Sequence, residues 1–290
     1  MPRTVDEGFR DFLKKLTPSS YESDAAKRHR ASIEQCIKSN FGLRRFWRTG
    51  SFGNGTSISG YSDVDYMASI PSENLNQNSS SSLTKLRNVL AARFPDTGVR
   101  TACPAVVVPF GTDAKETTEV TPAYYRRTEK NFNIYGIPDC ADDWMDASPD
   151  AHNEYVRSVD SKLSSKVKPL IRFIKAWKYF QNVPISSFYL ELRVAKYASE
   201  EKSIVYSIDV KRVFALLDDI DLAQIRDPMG ISGYISPCKS DADLSSAKSK
   251  ISTALSRATK AREAEERGNI KEAFDWWDKL FAYEFPSYYR

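Results

Sequence analysis

Two aspartates separated by one residue stand directly before an apolar run, and a Gly-Ser pair precedes them by about a dozen residues. The two motifs are Gly50-Ser51 and Asp63-Val64-Asp65. The apolar run predicts a strand, in which residues i and i+2 point to the same face. Asp63 and Asp65 would therefore present two carboxylates side by side, with Val64 turned to the core. The first half of the chain is thus predicted to contain a strand that is apolar on one face and acidic on the other.

Carboxylates at this spacing are suited to binding divalent cations. Mg²⁺ takes oxygen ligands in octahedral geometry, usually one or two carboxylates with phosphates and water. Nucleotide transfer from a triphosphate uses such ions to neutralise charge on the attacking and leaving oxygens. Gly50-Ser51 leads into a turn, where backbone N–H groups and the Ser51 hydroxyl can hold phosphate oxygens. Asp-x-Asp alone usually marks a solvated loop, but the Gly-Ser pair at this spacing favours a metal site.

A third acid lies on the strands predicted next. Ala105–Phe110 is apolar and β-branched, which predicts a buried strand. A turn at 111–113 connects it to a returning strand at 116–121, which we expect Pro122 to end. Glu119 lies in the middle of the returning strand, where an acid is a poor strand former. It is either an edge-strand side chain facing water or a third metal ligand, and the aspartate pair upstream favours the ligand.

These motifs resemble the metal-binding motifs of the cGAS/DncV-like nucleotidyltransferases, the bacterial relatives of animal cyclic GMP–AMP synthase and oligoadenylate synthase. The resemblance continues at residues 167–178, which are similar to a family helix bearing Lys-x-Trp, and at 185–191, which are similar to the turn and helix that follow. Residues 276–287 resemble the end of family members, so the resemblance covers nearly the whole chain from about residue 45. The third acid is Glu where many relatives have Asp, and it would ligate Mg²⁺ with a longer reach.

The resemblance implies a nucleotidyltransferase that makes a cyclic di- or oligonucleotide second messenger from nucleoside triphosphates in bacterial antiphage defence. A ribose hydroxyl would attack an α-phosphate at two Mg²⁺ ions, for which Mn²⁺ can substitute. A messenger-activated effector would act downstream. The catalytic residues and metal ligands would be Asp63, Asp65 and Glu119. The nucleotide would be bound by Gly50, Ser51, Lys175, Ser186, Ser187 and Phe188.

The downstream assignments each have a structural alternative. The resemblance implies that Lys175 and Ser187 hold the triphosphate and that Phe188 stacks on a base. Lys175 lies on a helix predicted over 166–181, where a lysine is more often solvated. Ser186 and Ser187 are also natural N-caps for the next helix. Phe188 is as readily explained as a core aromatic.

Composition limits the partners and the compartment. No apolar run approaches the ~20 residues needed to span a membrane, and the N-terminus is amphipathic rather than signal-like, which favours the cytoplasm. Four scattered cysteines and two histidines do not make a zinc site. The net charge of +4, from 42 basic and 38 acidic residues, does not indicate a duplex-binding domain. We expect a monomer that needs no duplex nucleic acid and no membrane.

The order of the predicted elements indicates an α+β fold, with a catalytic lobe over residues 1–150 and a helical lobe over 151–290. The resemblance implies that the first lobe contains a mixed sheet of the polymerase-β type and that the second completes the nucleotide site. The N-terminal helices are expected to pack on both lobes. A first strand is predicted at 43–49, a polar loop at 71–82 and an irregular segment at 126–148. Helices are predicted at 5–16, 23–39, 83–94, 149–164, 166–181, 186–200, 209–219, 241–267 and 269–281.

Two other functions remain open at this stage. The same catalytic core can modify RNA ends, a protein or a small molecule, although the modest charge argues against a broad RNA-binding surface. The chain can also be an inactive nucleotide-binding scaffold. The three intact carboxylates argue against that, because inactive relatives usually lose one of them.

Overall fold

The computed structural model describes residues 3–18, 20–61, 63–111 and 116–289, and it places a seven-stranded sheet before a series of helices. This arrangement confirms the predicted α+β class. The strands are β1 (Arg45–Arg48), β2 (Val64–Ser69), β3 (Arg100–Ala102), β4 (Ala105–Phe110), β5 (Glu116–Glu129), β6 (Phe132–Pro138), β7 (Trp144–Ala147), β8 (Ile225–Arg226) and β9 (Tyr234–Ile235). The helices are α1 (Val5–Leu16), α2 (Ser20–Phe41), α3 (Gly50–Asn54), α4 (Ser79–Arg93), α5 (Pro149–Lys162), α6 (Val167–Phe180), α7 (Ser187–Ser199), α8 (Tyr206–Asp219), α9 (Asp241–Glu266) and α10 (Ile270–Leu280).

The chain separates into two units. The sheet unit contains Pro18–Glu154 and the short segment Met229–Ser232. The helical unit contains the described residues up to Thr17, then Tyr155–Pro228, and the described residues from Gly233 onward. The predicted lobes, 1–150 and 151–290, differ from this division chiefly at the N-terminus, where α1 belongs to the helical unit.

The main sheet runs β1-β2-β5-β4-β3, with β6 paired to β5 and β7 paired to β6. β2 and β5 are parallel, whereas the other neighbours in this sheet are antiparallel. On β2 the side chains of Val64, Tyr66 and Ala68 enter the core, where they pack with Val120 of β5 and with buried residues of α2 and α4. This alternation is the one that the sequence predicts for a strand with one apolar face.

β5 is longer than predicted. The prediction that Pro122 ends this strand is wrong, because β5 continues to Glu129. Its pairing with β4 reaches only Val120, and its pairing with β6 begins at Tyr124. Pro122 lies between these two ladders, so its missing N–H interrupts neither of them. The prediction of a turn at 111–113 falls largely on residues 112 and 113, which lie outside the described residues.

The segment 126–148 is also more regular than predicted. It contains the end of β5 and the strands β6 and β7, which form two successive antiparallel pairs. Lys130 and Asn131 connect β5 to β6, and both have positive φ, 50° and 65°. Asn-Gly and Asp-Gly are the usual sequence signals for such two-residue turns. Because Lys-Asn carries neither, the hairpin is not evident from the sequence.

The polar segment 71–82 was predicted as a loop throughout, and that prediction is wrong for its last residues. The helix α4 begins at Ser79, four residues earlier than predicted. The Asn78 side chain accepts a hydrogen bond from the Ser81 backbone N–H at 2.8 Å and thereby caps the helix. Serine is a modest helix former, so the cap and not the composition explains where α4 starts.

Aromatic packing explains why α1 belongs to the helical unit. Phe9 contacts Phe173 of α6 and Trp277 of α10 at ring-centroid distances of 5.0 and 5.1 Å. Phe12 contacts Phe281 at 4.6 Å, and both phenylalanines of α1 are fully buried. Burying rings of this size is among the largest single contributions that a side chain makes to a core. Every helix formed by the described residues is too short or too polar to cross a membrane.

Two cysteines form a disulfide in the sheet unit. Cys103, in the turn between β3 and β4, is bonded to Cys140, in the loop between β6 and β7. Their Cα atoms are 5.7 Å apart and their sequence separation is 37 residues. The sequence offered no recognisable spacing for this pair.

Candidate active site

The Asp-x-Asp motif and the third acid lie on neighbouring strands. In the parallel pairing of β2 with β5, Asp65 lies opposite Glu119, so their backbones are about 4.8 Å apart. The residues that flank each acid, among them Tyr66 and Thr118, are buried in the sheet. Asp65 and Glu119 therefore point to the other face, and both are partly exposed. Two carboxylates from distant parts of the sequence are thus placed side by side.

Asp63 lies just before β2, and it is exposed. One residue, Val64, separates it from Asp65 along the chain, so an extended backbone carries both carboxylates to the same side. The hydroxyl of Ser51 and the backbone of Gly50 belong to α3, which follows β1 directly after Thr49. The Thr49 N–H donates to the Asp65 carbonyl at 2.8 Å, which fixes the start of α3 against the acidic strand. The turn predicted at Gly50-Ser51 is therefore a short helix.

Gly50 is required by its contact with Asp65. Its φ is +55°, and a Cβ built at this position would lie 1.9 Å from Asp65 Oδ2. No side chain fits there, because the Asp65 carboxylate occupies the space that a Cβ would fill. The Gly-Ser motif and the Asp-x-Asp motif are therefore parts of one structure, joined by direct packing of a carboxylate against a glycine.

The acidic residues fit a divalent cation in chemistry and in backbone placement. Carboxylate oxygens are the ligands that Mg²⁺ prefers, and Gly50 leaves room for a carboxylate beside α3. Within the described part of the chain, no three Asp, Glu, His or Cys side chains converge closely enough to hold a metal ion. Three like charges repel one another without a cation. The backbone thus brings the acids together, and rotation of their side chains is needed for them to share an ion.

Two environments were considered for Lys175 from the sequence, a triphosphate site and the solvent, and the structure places it in neither. It is 0% exposed, and its Nζ donates to Glu191 Oε1 of α7 at 2.7 Å. This placement contradicts the expectation that Lys175 holds the triphosphate, because a fully buried ammonium facing a carboxylate has no access to a phosphate. It equally contradicts a solvated lysine. Lys175 instead joins α6 to α7 through a buried ion pair.

The predicted serines divide into two roles. Ser186 is the N-cap of α7, since its Oγ accepts from the Tyr189 N–H at 3.3 Å. Ser187, the first residue of α7, accepts a hydrogen bond from Lys178 Nζ at 2.6 Å and lies 3.2 Å from the Tyr179 hydroxyl. Sequence reasoning missed Lys178 and Tyr179. Their signal was available, because Lys178 is one helical turn from Lys175 and so lies on the same side of α6.

Phe188 follows Ser187 and is 38% exposed. That exposure excludes the core-aromatic alternative and leaves a ring surface at the start of α7. Lys178, Ser187 and Phe188 thus combine a cation, a hydroxyl and an aromatic ring in the helical unit. This is the combination of groups expected to bind a phosphate chain and to stack on a base.

Arginines further along β5 are occupied by a neighbouring acid. The ladder between β5 and β6 contains a bulge between Tyr125 and Arg127, and a bulge redirects side chains that would otherwise alternate. As a result Arg126 and Arg127 both reach Asp146 of β7, at 2.6 and 2.8 Å. Burial pushes the pKa of Asp146 upward, but the hydrogen bonds from the two arginines outweigh it and hold that pKa below its usual value.

The chain is similar to known proteins in sequence and in fold. Residues 3–159 match the family model described as the Second Messenger Oligonucleotide or Dinucleotide Synthetase domain. A probable cyclic nucleotide synthase of Bacillus cereus strain VD146 is 29% identical over 177 residues, which are 59% of this chain and 52% of that protein. The match therefore spans about half the length of that relative.

Solved structures of CD-NTases have the same fold. CdnC of Escherichia coli MS115-1, solved with ATP, superposes with a TM-score of 0.74 at 18% identity, over 97% of this chain and 98% of that one. CdnG of Bradyrhizobium diazoefficiens, solved with GTP, gives a TM-score of 0.72 at 12% identity over 96% of both chains. These likenesses establish the polymerase-β-like fold, and the family model covers more than half of the chain. The protein therefore belongs to the Second Messenger Oligonucleotide or Dinucleotide Synthetase family.

Proposed function

We propose that this protein joins nucleoside triphosphates into a cyclic di- or oligonucleotide second messenger. The observation that carries the proposal is the parallel pairing that sets Asp65 opposite Glu119, with Asp63 two residues away, in a chain of this family. An acceptor ribose hydroxyl attacks the α-phosphate of a donor triphosphate, and pyrophosphate leaves. A second transfer closes the ring.

The residues of the two units have separate tasks in this proposal. Asp63, Asp65 and Glu119 would hold two Mg²⁺ ions, which supply charge neutralisation at the attacking and leaving oxygens when bound. Ser51 and the α3 backbone contribute hydrogen-bond donors for phosphate oxygens. In the helical unit Lys178, with Ser187, replaces Lys175 as the cation for the triphosphate.

Base recognition is assigned to the start of α7. The Phe188 ring is 38% exposed, and stacking on such a ring accepts every base because each base has a π-face. This residue therefore contributes affinity without base specificity. Following the family resemblance, we extend the proposal to a cytoplasmic monomer that acts in bacterial antiphage defence, upstream of a messenger-activated effector.

The test is product analysis. Purified protein is incubated with the four labelled ribonucleoside triphosphates and Mg²⁺, and the mixture is then treated with phosphatase. A small labelled product that resists phosphatase is expected, because cyclisation removes every terminal phosphate. Asp65→Ala serves as the inactive control. Label that appears on RNA or on protein would support transfer to those substrates instead, and the absence of any product would contradict the proposal for the isolated chain.

A further inference from the structure

The buried ion pair in the helical unit requires an explanation beyond stability. Lys175 is fully buried and Glu191 is 7% exposed, and their charged atoms are 2.7 Å apart. Removing two charges from water is costly, and replacing such a pair by apolar residues of similar volume is often neutral or stabilising. Folding of α6 against α7 therefore does not by itself require these two side chains. Their position relative to Lys178 and Ser187 suggests what they do.

Two contacts join the same sides of α6 and α7. Lys175 and Lys178 are three residues apart on α6, and Ser187 and Glu191 are four residues apart on α7, so each pair shares one helix face. The ion pair from Lys175 to Glu191 and the hydrogen bond from Lys178 to Ser187 are thus successive links between two helices. Moving one helix along the other would break both links together.

The two links differ in environment. The first is buried, whereas Lys178 and Ser187 are partly exposed at the start of α7. A partly exposed hydrogen bond from a long, mobile lysine side chain gives weaker positional control than a buried one. A buried ion pair allows little variation in distance or orientation, because an unpaired buried charge is strongly unfavourable. The buried link therefore has the properties needed to set the geometry of the exposed one.

We propose that Lys175 and Glu191 are positioning residues, which do not touch the nucleotide but hold the Lys178 ammonium next to the Ser187 hydroxyl. This inference rests on the proposed function, in which those two groups bind the triphosphate chain. It assigns the geometry of the contact between Lys178 and Ser187 to a pair of charges buried behind it.

The test replaces both charges at once. In the double variant Lys175→Met with Glu191→Leu, the volume of the pair is approximately kept while its fixed distance is lost. We expect an unchanged or higher Tm, a KM for nucleoside triphosphate raised about tenfold, the effect of weakening one charged hydrogen bond, and a kcat changed by less than about twofold. Binding of inorganic tripolyphosphate, measured by calorimetry, should weaken by the same factor.

A double-mutant cycle distinguishes positioning from a general structural effect. Lys178→Ala should weaken tripolyphosphate binding about tenfold in the native background but less than about threefold in the double variant, because Lys178 is already misplaced there. The matched control is Arg262→Met with Glu265→Leu, which removes a partly buried ion pair on α9. In this control background, Lys178→Ala should still weaken tripolyphosphate binding about tenfold.

Two results would overturn the inference. One is unchanged tripolyphosphate binding in the double variant, and the other is a full effect of Lys178→Ala in both backgrounds. Should the double variant fail to fold, the same cycle is measured with Glu191→Gln, which keeps the shape and one acceptor oxygen. Since tripolyphosphate binding needs no turnover, failure of the proposed catalytic function and failure of this inference give different results.

Discussion

At the scale of single residues, Gly50 shows how narrowly the site constrains its sequence. The Asp65 carboxylate lies where a Cβ of residue 50 would be, 1.9 Å from that position. We predict that Gly50→Ala lowers activity about a hundredfold, because an ångström-scale displacement of a catalytic group has effects of that size. The measurement is kcat/KM together with Tm.

Gly98→Ala is the matched control for this substitution. Gly98 also has a positive φ, +69°, but its added Cβ would meet no atom within 4 Å. Both variants incur the backbone cost of about 1–2 kcal/mol for alanine in the left-handed region. Activity should fall only in Gly50→Ala. An equal loss in both would mean that backbone strain, and not the contact with Asp65, determines the effect.

The acidic residues themselves give the second prediction. Asp65→Ala and Glu119→Ala should each lower activity about a hundredfold or more while Tm stays equal or rises, because each removes a negative charge from a cluster of like charges. The exposed Asp96, on the same unit, provides the control Asp96→Ala, which should change neither quantity. Residual activity above a few per cent in Asp65→Ala would argue against the assignment of the metal ligands.

At the scale of elements, the sequence predicts a strand or a helix best where a single hydrophobic periodicity runs through the whole element. β2 alternates between core and acidic face, and α6 places Phe173 and Trp177 in the core at helical spacing. Both could be recognised from the apolar pattern alone. The pairing of Asp65 with Glu119 could be inferred only from their shared chemistry, because strand register depends on contacts distant in sequence.

The failures have equally specific causes. The hairpin from β5 to β6 was missed because its turn, Lys130-Asn131, lacks glycine, and Pro122 falsely indicated an end of β5. The environment of Lys175 could not be read from the sequence, because a lysine on α6 shows its partner only when α7 is packed beside it. Lys178 is a lysine on the same helix, and the sequence alone does not distinguish its role from that of Lys175.

The Asp146 cluster leads to a prediction about pH. Its pKa is lowered in the folded protein, so its contribution to stability is complete above the unfolded pKa of about 3.9 and is lost as pH falls through the folded pKa. Asp146→Asn should lower Tm at pH 7 by about 3–6 °C, from about 1–2 kcal/mol for partly exposed charged hydrogen bonds. The difference between variant and native protein should shrink below pH 4.

Thermal unfolding from pH 7 to pH 2.5 measures this effect. The control is Asp142→Asn, which removes a carboxylate from the loop before β7 and leaves the contacts of Asp146 with Arg126 and Arg127 in place. A Tm difference for Asp146→Asn that stays constant over the whole range would show that side-chain shape, and not charge, is responsible.

At the scale of the whole molecule, the charge balance bears on activation. A net charge of +4 in 290 residues is small for a protein that must bind a duplex. We predict that double-stranded DNA changes activity by less than about twofold at about 0.15 M salt, where weak phosphate contacts are screened. Activity is compared with and without duplex DNA under those conditions. A large increase that persists at this salt concentration would identify a nucleic-acid sensor.

Because Cys103 and Cys140 form a disulfide, the stability of the fold depends on the redox conditions. The disulfide closes residues 103–140 into a covalent ring, and this segment contains β4, β5, β6 and Glu119. A cross-link over 37 residues restricts the unfolded chain by about 4 kcal/mol in the loop-entropy description. Adding a dithiol reductant should then lower Tm by up to roughly 10 °C in the native protein. The reductant should not change the Tm of the double variant Cys103→Ser with Cys140→Ser. In Cys36→Ser, which keeps the disulfide, it should lower Tm as much as in the native protein. Thiol-rich compartments keep such pairs reduced, so in the cytoplasm proposed for this protein we expect the linear chain, and a shift to oxidising conditions would close the ring that contains Glu119.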